Sequence, residues 1–141
     1  GPDILFSIIS EIAQENKNLT VVLTGKNRQY IINKFQENGI GYKYFEMIDL
    51  ESINKLYNTL DMYVVSSRVE GGPQAILECA ASKTPIISRD VGIASEILNM
   101  KSLFDKDFSN ASPDTEYAYN SVKEFFIPRG MSEFISMFDK I

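Results

Sequence analysis

A chain of 141 residues, 44% apolar and 23% charged, is long enough to bury one sizeable core and short for two. Its formal net charge of -5 comes without a basic cluster or a stripe of Lys and Arg interleaved with aromatics, which excludes the electrostatic footprint of a nucleic-acid binder. It contains no histidine and one cysteine, Cys79, so histidine triads and an internal disulfide are excluded and the commonest zinc ligand is missing.

Residues 3–16 place Ile4, Ile8, Ile9, Ile12 and Ala13 on one face, the spacing of an amphipathic helix. Residues 20–24, a β-branched run ending at Gly25, predict a buried parallel strand. Helical spacing of Ile31, Ile32 and Phe35 predicts a helix over 28–38, stopped by Gly39 as a left-handed cap. A strand over 42–45, a helix over 51–60 with Ile53, Leu56, Tyr57 and Leu60 inward, and a strand over 62–66 continue the alternation. Next come a helix over 73–82, a strand over 85–88, a helical turn or two over 93–98 and a short strand at 102–104. Residues 113–141 form a helical tail with helices over 114–126 and 131–140, the second carrying Phe134, Ile135 and Phe138 on one side. Regular alternation with near-continuous apolar strands predicts a single α/β domain over 1–141, Rossmann-like and three-layered, with a mostly parallel sheet.

In such a sheet, ligands collect where strands end and helices begin. The stretch "SSRVEGGPQAILECAASKTPIIS", residues 66–88, is a place of that kind. Gly71 and Gly72 let a backbone approach a ligand closely, Pro73 suits the first helical position, and the free amides of the first turn face an anion. Glu78 lies one turn after Gln74 on the same helix face, near the loop that holds Glu70. A carboxylate there suits paired sugar hydroxyls, which it can accept. A Gly-Gly-Pro turn and a solvated helix glutamate fit the same spacing, and from spacing alone they are the commoner outcome.

Residues 56–98 resemble the donor-binding half of retaining glycosyltransferases of the GT-B fold, family 4, the glycosyl transferases group 1. The resemblance rests on the strand ending in Ser66-Ser67, the Glu70-Gly71-Gly72-Pro73 loop, Leu77-Glu78, and the strand Thr84-Pro85-Ile86-Ile87. "VVLTG" and "YFEMIDLESINKLY" extend it upstream, to roughly residues 3–98. It implies a C-terminal domain that binds a nucleoside-diphosphate sugar and transfers a hexose with retention to a glycan, lipid or protein, as in polysaccharide biosynthesis. Glu78 would bind the ribose hydroxyls and Glu70, the catalytic candidate, a hydroxyl of the donor sugar. Gly71, Gly72, Pro73 and Gln74 would line the sugar and diphosphate, Met47 and Ile48 would frame the base, and Gly25 and Lys26 would close the phosphate side. Lys26, Arg28 and Arg68 are the nearby cations. Neither a metal nor a resident cofactor is implied.

The family's domain starts with a strand and an Arg…Lys pair that grips the diphosphate, and neither matches a segment of this sequence. That strand would be central, so the strand 20–24 is expected to pair directly with 62–66 unless another segment fills the gap. The acceptor-binding N-terminal domain would be supplied in cis or in trans, and a non-catalytic donor-binding or interaction subunit that needs a separate partner chain is the alternative. With no secretory signal and no apolar run of bilayer length, the expected location is the cytoplasm, with any contact to the inner face of a membrane made by the missing half. Asp105-Lys106-Asp107 matches the Asp-x-Asp pattern of the other large glycosyltransferase fold but is expected to be a solvated loop, and Cys79 a small core residue.

Overall fold

The computed structural model describes residues 1–138 and alternates helix and strand along that length. Helices α1 (Pro2–Glu15) and α2 (Gln29–Glu37) bracket β1 (Thr20–Thr24), and β2 (Gly41–Phe45) follows. Then come α3 (Leu50–Tyr57), β3 (Tyr63–Val65), α4 (Gln74–Ala81), β4 (Ile86–Arg89) and α5 (Ala94–Ile97). A 3-10 turn over Met100–Ser102 leads into β5 (Leu103–Phe104), and α6 (Thr115–Val122) and α7 (Arg129–Phe138) close the chain.

Where the elements depart from expectation, local polar groups account for it. Helix α3 ends three residues early because Asn58 Nδ2 takes the carbonyl of Asn54 at 2.8 Å and Thr59 Oγ1 that of Leu56 at 2.8 Å. The Thr59 and Leu60 amides there turn back only three residues, to the carbonyls of Leu56 at 2.9 Å and Tyr57 at 3.3 Å, so the four-residue ladder is not continued. Ser102 belongs to a 3-10 turn instead of a strand, with Asn99 Oδ1 accepting from the Lys101 amide at 3.1 Å. The helix expected over 114–126 starts from an Asp114 cap and tightens after Val122 into a 3-10 turn over Lys123–Phe125. Gly39 takes the expected left-handed conformation, φ 65°. Residues 139 and 140 of the last expected helix lie outside the described residues.

Every strand pair is parallel, but the strands form two sheets, β1-β2 and β3-β4-β5. The expected pairing of 20–24 with 62–66 is therefore corrected: no ladder joins β1 to β3, and among the described residues no strand stands between them. Helix α1 contributes to both half-cores. Its Ile9 packs in a cluster with Leu23, Ile31, Ile32 and Phe35, while the adjacent Ile8 packs with Ile87 and Phe104. In the doubly-wound order the strand that precedes this helix stands between these two edges, and no segment of this sequence supplies it. Val21, Val22 and Val64 stay half-buried in consequence.

A third cluster, on the side of α3 to α6, joins Val65, Ile76, Cys79, Ile86, Ala94, Ile97 and Val122. It seats α4 on the β3-β4-β5 sheet and so fixes the loop before it. Among the tail residues, Ala118 and Val122 enter this core, whereas Phe134, Ile135 and Phe138 of α7 lie exposed. Tyr119 packs edge-on against Phe126 and receives the ammonium groups of Lys83 and Lys123, each 4.6 Å from its ring centroid.

Candidate functional site: the loop after β3 and the cavity beside α4

The chain leaves β3 at Val65 and enters α4 at Gln74, and the residues between form the mouth of the site. Ser67 Oγ donates to Glu70 Oε1 at 2.7 Å, which orients that carboxylate on an otherwise exposed loop. Gly71 and Gly72 are exposed, and a Cβ at either would meet nothing within 4 Å. Pro73 stands one place earlier than expected: it is the N-cap, at φ −67° and ψ 107°, and its carbonyl accepts from the Ile76 amide at 3.0 Å. The shift follows from its extended ψ, which lies outside the helical range. The amides of Gln74 and Ala75 come before the helix ladder closes, so the mouth presents donors and the positive end of a helix dipole.

Gly92 holds this loop from behind. Its φ is +54°, and a Cβ there would lie 2.9 Å from Pro73 Cδ, 3.2 Å from the Glu70 carbonyl oxygen and 3.2 Å from the Gly71 carbonyl carbon. Only a residue without a side chain lets the segment after β4 nest against the Glu70 to Pro73 backbone.

Glu78 lies on α4, half-buried, and lines a cavity of about 430 Å³ with Leu50, Ile53, Asn54 and Tyr57. Its Oε2 accepts from the Tyr57 hydroxyl at 2.8 Å. Burial and that bond push the Tyr57 hydroxyl far above the usual phenol range, so it stays a donor. The neighbouring Tyr63 hydroxyl is pushed up to about 12, chiefly by burial, and it feels the charges of Arg28, Glu78 and Glu70. The cavity lies between α3 and α4, with Asn58, Ala81 and Ser82 completing its wall, and Met47 and Ile48 are not part of its lining. Met47 is 78% exposed and Ile48 half-buried. Asp49 caps α3 by accepting from the Ser52 amide at 2.8 Å, which lowers its carboxyl pKa and fixes the end of that loop.

At the end of β1, Gly25 adopts φ 85°, and its carbonyl accepts from the Tyr44 hydroxyl at 3.0 Å. Lys26 is exposed beside it, and Arg28 Nε donates to the Thr24 carbonyl at 2.8 Å. Arg68 is turned to α1 and grips Asp3 with both terminal nitrogens, Nη1 to Oδ1 at 2.9 Å. That bond holds the exposed Asp3 carboxyl at about 2. A depressed carboxyl makes its contribution above its unfolded value and loses it as pH falls. The Asp3–Arg68 contact is thus expected to persist through neutral pH and to open between about pH 4 and pH 2. Following the Asp3 carboxyl by NMR titration checks this, and a midpoint near 4 would count against it.

The structure therefore gathers Glu70, Gly71, Gly72, Pro73 and Gln74 at one mouth, places Glu78 in the cavity between α3 and α4, whose lining includes none of Gly25, Lys26, Met47 and Ile48, and ties Arg68 to α1. Sequence reasoning missed Gly92, the contact of Tyr57 with Glu78, and Arg89. Arg89 lies at the carboxyl end of β4, its Nη2 3.0 Å from Asp105 and its buried Nε without a hydrogen-bond partner. The glycine in "DVGIASE", just before a helix, was the one available signal. Asp107 caps the Ser109 amide at 2.8 Å, and among the described residues no cluster of acidic residues or cysteine could hold a metal. Cys79 is fully buried, its thiol pushed up to about 12 by burial, as expected of a core residue.

Parallel strands with helices between them, ending in a glycine loop and a helix mouth, define an α/β domain of the Rossmann-like class. The family described as Glycosyl transferases group 1 matches residues 1–125, and the chain belongs to it. Protein CapJ of Staphylococcus aureus is 26% identical over 109 residues, which are 74% of this chain and 28% of CapJ. The solved GtfA/B complex contains a chain that superposes with a TM-score of 0.71 at 16% identity over 98% of this chain. That match covers 33% of the larger chain, so this chain spans a third or less of both relatives. The fold is that of one Rossmann-like half of a GT-B glycosyltransferase. No helix among the described residues is long and apolar enough to cross a membrane.

Proposed function

We propose that this chain is the donor-binding, C-terminal part of a family 4 glycosyltransferase that moves a hexose from a nucleoside-diphosphate sugar to an acceptor with retention. The observation that carries the reading is Glu78: a half-buried carboxylate facing a cavity of about 430 Å³, little more than one helical turn from an amide-rich helix mouth. Glu78 accepts the ribose hydroxyls, and the base lies toward Met47, Ile48 and Leu50. The diphosphate lies at the amides of Gly72 and Gln74, with Gly25 and Lys26 on its far side, and Pro73 supplies shape without a donor. Glu70, steadied by Ser67, accepts a hydroxyl of the donor sugar. As the sugar departs, charge grows on the diphosphate, and fixed amides stabilise it with little reorganisation.

Two surfaces support a two-part protein. Among the described residues no strand lies between β1 and β3, and Phe134, Ile135 and Phe138 of α7 are exposed. The remainder of a GT-B protein, in the same chain or a partner chain, would cover both, add the acceptor site and supply the cations that Arg68 does not provide. A donor-binding subunit that works with a second chain is the other reading, favoured by Arg68 being committed to Asp3.

Calorimetric titration with UDP, GDP, ADP and their sugars tests the proposal. One of the nucleotides is expected to bind, and Glu78→Ala to weaken it about 10- to 100-fold, the loss of hydrogen bonds to a charged acceptor. Failure of every nucleotide at millimolar concentration, or an unchanged affinity in Glu78→Ala, would remove the reading.

A further inference from the structure

Tyr57, at the end of α3, is bonded to the α4 side of the fold at two points. The Tyr57 hydroxyl donates to Glu78 Oε2 at 2.8 Å, and the Tyr57 carbonyl accepts from the buried Thr84 Oγ1 at 2.8 Å. Thr84 Oγ1 in turn lies 2.9 Å from Ser82 Oγ, which reaches the Glu78 carbonyl at 2.9 Å. Because the one Thr84 proton goes to the Tyr57 carbonyl and Ser82 has a single proton for either Thr84 or the Glu78 carbonyl, the bond that reaches the Glu78 side chain itself is the one from Tyr57. The phenol ring is 5% exposed and packs edge-on against Tyr63, centroids 5.9 Å apart and planes at 74°. Its hydroxyl therefore has little freedom to turn away.

An ionised carboxylate accepts only, with about four lone-pair sites on its two oxygens. With one site on Oε2 taken by Tyr57, the carboxylate is restrained in its rotation while Glu78 still lines the cavity. A glutamate free to rotate would lose side-chain entropy on meeting a ligand, whereas one already ordered does not.

We propose that Tyr57 is a positioning residue, holding the Glu78 carboxylate in the orientation that accepts a pair of ribose hydroxyls and thereby setting the preference for a ribonucleotide over its 2′-deoxy counterpart. This rests on the reading of Glu78 as the ribose acceptor. Tyr57→Phe removes the hydroxyl and keeps the ring, the contact with Tyr63 and the main-chain bond from Thr84. A purely structural Tyr57 would shift thermal stability without changing which sugar is preferred.

The test is calorimetric titration of the protein with UDP, GDP and ADP, each beside its 2′-deoxy analogue, in the wild type, Tyr57→Phe and Glu78→Gln. The wild type is expected to favour the ribose form of the nucleotide it binds. Tyr57→Phe is expected to weaken that form about three- to tenfold while changing the deoxy form little, so the ratio narrows. Glu78→Gln is expected to narrow it further. A ratio that narrows in Glu78→Gln but not in Tyr57→Phe overturns the positioning role and leaves the ribose reading standing. A ratio unchanged in Glu78→Gln overturns the ribose reading itself and the proposal with it.

Discussion

Phe35→Ala is expected to cost about 3–5 kcal/mol and to lower the thermal midpoint by about 10 °C or more. Phe35 is fully buried and touches the rings of Phe6 and Tyr42, with centroids 6.4 Å and 6.3 Å away. It is the residue through which α1, α2 and β2 share one core, so truncation leaves a cavity in the middle of that cluster. Because no ladder bond connects β1 to β3, the damage should be uneven. Hydrogen exchange is expected to show lost protection at β1 and β2, with β3 and β4 retaining theirs. The consequence for the site is specific: the loops carrying Gly25, Met47 and Ile48 loosen, while the mouth at Gly72 keeps its shape. Uniform loss of protection across both sheets would show instead that α1 couples them into one cooperative unit.

Gly92→Ala should have the largest effect on the mouth. Its left-handed backbone costs a residue with a side chain about 1–2 kcal/mol, and forcing a methyl into a packed contact costs about 1–3 kcal/mol more. The new Cβ would stand 2.9 Å from Pro73 Cδ and 3.2 Å from the Glu70 carbonyl oxygen, so the loop that carries both must move. Gly39→Ala is the control, since Gly39 has a similar φ of +65° and nothing within 4 Å of its added Cβ. Both variants should melt earlier than the wild type, Gly92→Ala by more, and only Gly92→Ala should weaken nucleotide binding in titration. Equal losses in the two would mean that the contact with the mouth is dispensable.

Much of the fold was legible because its signals are local. The 3.6-residue spacing of Ile4, Ile8 and Ile12 or of Ile31, Ile32 and Phe35 is written in the chain itself, and so is the β-branched run at 20–24. Boundaries were less legible where side chains compete with the backbone, as Asn58 and Thr59 do at the end of α3. The mouth was visible in Glu70-Gly71-Gly72-Pro73 because a short segment builds it, and Glu78 because it lies on the next turn of the helix.

What the sequence determined by itself is therefore the order of elements, the family motif and the groups available to a candidate site: carboxylates, amides and glycines, with no histidine to add. The tertiary structure alone decided how distant residues meet. It left the strands in two sheets, seated Ile8 and Ile9 in different half-cores, and spent Arg68 on Asp3, 65 positions away. It also backed the mouth with Gly92 and set Tyr57 on Glu78, 21 positions apart. Periodicity reports which face of an element is apolar, but not which face of another element it will touch. That choice belongs to the packing of the whole core, where each contact depends on all the others.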